Sequence, residues 1–111
     1  MSKSFVIFVF FTFVLVVSSP AAIYKGQRVF KRVCVECHTT RQTFIKEKTI
    51  SEWEELVAEN GKALAEKHLK DIRAKDSWKY FMSKKYTKKL KHLRQFLVEY
   101  AKDSGKIPAC N

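Results

Sequence analysis

Two cysteines three positions apart, with a histidine directly after the second, constrain this chain more than anything else in it: Cys34-Val35-Glu36-Cys37-His38. On a helical turn, residues three and four apart share one face. Both thiols and the imidazole can therefore be presented to one flat object. This is the spacing at which two thiols form thioether bonds to the vinyl groups of a haem, with the adjoining imidazole as proximal iron ligand. A small chain that carries such a plate must fold around it. The same five residues have two other readings. Zinc sites usually come as two separated ligand pairs, and adjacent Cys37 and His38 seldom reach one ion. A dithiol redox pair is expected beside a βαβ pattern, and none is visible.

The N-terminus reads as a secretory signal of residues 1–21. Met1-Ser2-Lys3 is a short positive region, and Phe5 to Val17 is apolar except for Thr12. Ser19 and Ala21 supply the small residues of a cleavage site, with the cut after Ala21. The apolar run is short for a membrane span of about 20 residues, so the expectation is an exported chain, periplasmic and soluble after cleavage; an uncut signal would leave it membrane-anchored. Residues 22–111 are then one domain, without repeats or low-complexity tracts. Chains of this size bury little apolar area by themselves, and a large apolar ring would help. Removing Lys3 from 22 basic residues leaves 21 against 11 acidic, a formal charge of +10. Such a charge favours acidic protein partners or a membrane surface. Nucleic acid fits the charge but not export.

The remaining pattern is helical. Gly26, Phe30 and Cys34 recur every fourth residue on a helix predicted over Ala22 to Cys37. Thr39 to Thr49 reads as a loop. Ser51 with Glu54 is a capping-box pattern opening a helix that stops at Asn60-Gly61. A third pattern runs from Lys62 to Ala74, with His68 inside its apolar stripe of Leu64, Ala65, Leu69 and Ile72. Asp76 to Thr87 is ambiguous and contains Trp78, Tyr80, Phe81 and Met82. The last helix is predicted from Lys88 to Asp103, lined by Leu90, Leu93, Phe96, Leu97, Tyr100 and Ala101, with His92 facing away.

From Tyr24 to about Lys102 the chain resembles the class I c-type cytochromes. Gly26-x3-Phe30-x3-Cys34 looks like that family's first-helix set, and Leu97-x2-Tyr100 like the set on the last helix. The resemblance implies an all-α, cytochrome c-like fold of three to four helices around one covalent haem c, with the N- and C-terminal helices crossing. Two features depart from the family's usual pattern. No proline lies between His38 and Pro108 to supply the carbonyl that often accepts the proximal histidine's N–H; a carbonyl after Thr40 is the substitute expected. Met82 also lacks the proline- or glycine-rich surroundings of the family's distal methionine.

Met82 is the one methionine after the signal and lies 44 residues beyond His38, the order and spacing of smaller bacterial members. It is the first candidate for the sixth iron ligand, and a thioether there would raise the potential. His68 is the rival, an imidazole on an otherwise apolar helix face. Cys110 has no partner once Cys34 and Cys37 are consumed, so an intermolecular disulfide is one expectation for it. The function expected is one-electron transport between periplasmic or membrane-bound redox partners. Lys84-Lys85 and Lys88-Lys89 are expected around the haem edge, docking an acidic partner. The competing expectation is a peroxidase-like haem enzyme or gas sensor with an open distal side.

Overall fold

The computed structural model describes residues 20–107. The apolar run of the signal and Cys110 lie outside them. Five α-helices occur among the described residues, and no strand: α1 (Pro20–Val29), α2 (Gln42–Ile45), α3 (Ile50–Leu69), α4 (Trp78–Phe81) and α5 (Lys84–Glu99). A π-helical turn (Phe30–Cys34) continues α1, and a 3₁₀ turn (Ile72–Ser77) leads into α4. The described residues are thus all-α, as expected, but with five helices rather than three to four, because the segment Thr39 to Thr49 that reads as a loop contains α2 and the ambiguous segment contains α4. None of the described helices is long and apolar enough to cross a membrane.

α1 and α5 meet at Gly26, which is buried. A Cβ at this position would stand 2.0 Å from the His92 carbonyl oxygen and 2.7 Å from the Phe96 Cβ. Only a residue without a side chain allows the two backbones so close. One turn on, Phe30 is fully buried, its ring 5.4 Å from that of Phe96. The expected partners of this pair were Leu97 and Tyr100. Instead Phe96 takes the contact, Tyr100 packs behind it at 5.3 Å, and Leu97 lines the cavity described below. His92, expected at the surface, is half-buried beside the crossing, and its Nδ1 is enclosed without a hydrogen-bond partner.

α3 is broken where the stop was predicted. Glu59, Asn60 and Gly61 have φ of 52°, 57° and 72°, three consecutive left-handed residues that redirect the chain. The kink is clasped by Tyr86, whose hydroxyl donates to the Gly61 carbonyl at 2.6 Å. A Cβ on Gly61 would lie 2.1 Å from that hydroxyl oxygen. The start of α3 differs by two residues from the Ser51–Glu54 expectation. Thr49 is the cap: its Oγ1 accepts the Glu52 N–H at 3.2 Å and lies 3.1 Å from Glu52 Oε1. α3 ends at Leu69, short of the expected Ala74, because Asp71 opens the 3₁₀ turn by accepting the Arg73 N–H at 2.9 Å. α5 begins four residues before the expected Lys88. Tyr86, 2 % exposed, extends its buried stripe of Leu90, Leu93, Phe96 and Leu97 backwards by one turn.

Candidate functional site

The π-helical turn places the three residues of the opening motif. Val35 N–H reaches back five residues to the Phe30 carbonyl at 3.2 Å, and His38 N–H four residues to Cys34 at 2.8 Å. Such one-turn π insertions are frequent at functional sites. Here the turn brings Cys34, Cys37 and His38 to the wall of one cavity of about 530 Å³. Both cysteines are free thiols, Cys34 partly buried and Cys37 exposed.

His38 lies flat on Phe44, ring centres 3.9 Å apart and planes within 17°. What the segment after Thr40 presents to His38 is the aromatic ring of the short helix α2, not the carbonyl acceptor expected. Phe44 packs edge-on to Trp53 at 5.6 Å. The Trp53 indole N–H donates to the Ile45 carbonyl at 2.9 Å, in the buried interior. The support of His38 thus runs unbroken into the core.

The far wall belongs to the second half of α3 and to α4. His68 stands there, its Nδ1 2.8 Å from the Leu64 carbonyl. Its ring stacks on Phe81 at 4.2 Å. Trp78 Nε1–H donates to the His68 carbonyl at 2.6 Å, which ties the 3₁₀–α4 segment to the end of α3. The His38 and His68 ring centres are 6.1 Å apart, with planes at 83°.

Met82 is not part of this arrangement. It follows α4 directly, is 70 % exposed and does not line the cavity. The sequence's first candidate for a sixth ligand is therefore not brought to the cavity, whereas the rival His68 lines it. The lysine pairs 84–85 and 88–89 do not reach the cavity either. Its cationic groups are Lys48, Lys67 and Arg73. Arg73 is paired with Asp71 at 2.9 Å, and the Lys48 ammonium stands 6.0 Å from the centre of the Trp53 ring. Lys89 instead shares a small surface groove with Lys25, Arg28 and Arg32.

The electrostatics follow from enclosure. Burial pushes the Cys34 thiol up to about 12, with the neighbouring Cys37 adding to the effect. Burial lowers the His38 imidazole below its ordinary value, reinforced by His68 and opposed by Glu47, so the neutral, lone-pair-bearing form is favoured. The Tyr80 hydroxyl is raised to about 12, first by burial and then by Cys34. This hydroxyl belongs to a wall residue of the cavity and has no hydrogen-bond partner. Buried hydroxyls normally have one.

Phe44 and Tyr80 were not marked as site residues by the sequence. Phe44 sits in a segment that reads as a polar loop, and the signal available was its place six residues after His38. Tyr80 and Phe81 belonged to the ambiguous aromatic knot. Among the described residues, no three of His, Cys, Asp and Glu converge as ligands for a bare metal ion. Compared with known proteins, the chain matches no family model, no curated protein and no solved structure.

Proposed function

We propose that this protein is an exported c-type cytochrome: a carrier of single electrons on one haem held through Cys34 and Cys37, with His38 as an axial iron ligand. One observation carries the reading. Two free thiols and an imidazole face a single cavity of about 530 Å³ from one turn of chain. That volume lies within the range of about 300–1,000 Å³ usual for cofactor sites.

The residues present fit the group. A porphyrin needs apolar walls for its ring, and Phe44, Leu56, Leu64, Phe81, Leu93 and Leu97 supply them. It also carries two carboxylates, for which Lys48 and Lys67 are the cationic wall residues not already paired with Asp71. The orphaned Tyr80 hydroxyl is a further donor to an occupant. An iron already held by four porphyrin nitrogens asks the protein only for axial ligands. When bound, haem supplies reversible one-electron exchange at iron. The chain's part is to hold the ring rigidly, keep water away and leave an edge open to partners.

The test is expression with an export signal alongside a cytochrome maturation system. The expected product is red, heavier than its polypeptide by one haem, and keeps an intense Soret band through acid-acetone extraction. Cys34→Ser and Cys37→Ser should each leave a single thioether, and the double substitution none. A colourless protein of bare polypeptide mass would overturn the reading.

A further inference from the structure

We infer that His68 is the second axial ligand, so that iron is held between the imidazoles of His38 and His68 in near-perpendicular planes; this rests on the haem reading above. The first argument is distance. A metal–imidazole bond is about 2.0 Å and a ring nitrogen lies about 1.2 Å from its ring centre, so two rings bound to opposite sides of one metal have centres about 6.4 Å apart. The observed separation is 6.1 Å. Edge-to-face ring pairs span about 4.5–7 Å between centres, so the separation admits a metal between the rings, and the tautomer and the supports of the two rings select it.

The second argument is the tautomer. The partner of His68 Nδ1 is the Leu64 carbonyl at 2.8 Å, and a carbonyl only accepts. Nδ1 is therefore the N–H donor, which leaves Nε2 with the lone pair. A hydrogen bond from the other ring nitrogen to a carbonyl is the usual device that orients a metal-binding histidine and raises its basicity. The third argument is support. The Phe81 stack at 4.2 Å fixes the plane of His68, and the Phe44 stack at 3.9 Å fixes that of His38. The 83° between them is thus imposed from outside by two different elements. Met82, at 70 % exposure, has no comparable position.

Two consequences follow. A filled sixth position leaves no open site for peroxide or small gases, which favours the carrier over the enzyme. Two imidazoles also give a lower potential than an imidazole with a thioether.

The experiment is electron paramagnetic resonance and optical spectroscopy of the ferric holoprotein. Perpendicular imidazole planes leave the two iron d-orbitals of π symmetry nearly degenerate, which gives a low-spin signal dominated by one large g value. That signal is expected in the wild type and in Met82→Ala. In His68→Ala it should be lost to a high-spin spectrum, with rapid carbon monoxide binding by the ferrous form and recovery of the low-spin spectrum on adding imidazole. The wild-type spectrum decides the matter even if His68→Ala fails to mature. Covalent haem with a far-red methionine–iron band abolished by Met82→Ala, or high-spin iron in the wild type, would overturn the inference and leave the haem reading standing. Absence of covalent haem would defeat the reading itself, and the inference with it.

Discussion

Single residues decide whether the two ends of this fold can meet. At Gly26 a methyl group would have to enter the space held by the His92 carbonyl, 2.0 Å away. Backbone cannot swing aside as a side-chain tip can, so α1 and α5 would have to separate. Gly26→Ala is expected to cost about 3 kcal/mol, at the upper end for overpacking, read as a lower urea midpoint with an unchanged slope. The sequence marked this glycine, because the four-residue repeat with Phe30 and Cys34 placed it on the buried face. It also grouped Cys34, Cys37 and His38, which line one cavity, since residues within one turn need no knowledge of the rest of the fold. It ranked Met82 ahead of His68, whereas only His68 lines the cavity. Both lie in apolar surroundings along the chain, and which side chain turns inward depends on the path taken by the 3₁₀ turn and α4. The side chain of Met82 points to solvent because its neighbours Phe81 and Tyr86 fill the interior, 5.0 Å from each other.

At the scale of elements, the long-helix signals were right in kind and displaced in register, while the short α2 lies inside a segment that reads as a loop. Thr49-x-x-Glu52 and Ser51-x-x-Glu54 are overlapping capping patterns, and spacing alone does not choose between them. The choice is tertiary: Asp103, beyond α5, accepts the Ile50 N–H at 2.8 Å, and the Lys102 N–H donates to the Lys48 carbonyl at 2.9 Å. These bonds pin the helix start at Thr49. Thr49→Ala should therefore cost about 1 kcal/mol and Ser51→Ala only a few tenths, compared by thermal unfolding. The early start of α5 was within reach of the sequence. Tyr86 stands four residues before Leu90 and continues its stripe, but the run of lysines around it obscured the pattern. The break in α3 was readable because Asn60-Gly61 tolerates left-handed backbone. At Gly61 that tolerance is needed twice, for φ and for the adjacent Tyr86, so Gly61→Ala should lose about 1–2 kcal/mol from φ alone and more from the clash.

For the whole molecule, a cavity of about 530 Å³ is large for a chain of this length. Its aromatic and aliphatic walls should be incompletely packed until the haem proposed above fills them. The Cys34→Ser/Cys37→Ser double variant, isolated without haem, is expected to lose about 3 kcal/mol and to melt on the order of 15 °C below the holoprotein. Near-ultraviolet circular dichroism should weaken more than the far-ultraviolet helical signal. The position of positive charge also yields a test. Lys67 lines the cavity and Lys85 does not. Oxidation of the reduced protein by ferricyanide, an anion, should slow as salt is added, and Lys67→Glu should slow it several-fold more than Lys85→Glu. The Tyr86–Gly61 clasp has a consequence at this scale too. It sets the direction in which the last turns of α3 leave the hinge, and His68 rides on those turns. Tyr86→Phe removes one hydroxyl and leaves the buried Gly61 carbonyl without its partner, at a cost of about 1–3 kcal/mol, so the protein should stay folded while the colour and midpoint potential of the proposed holoprotein drift. A lone phenol, bonded to neither sulfur nor iron, would in that way act as the tuning peg of the chromophore.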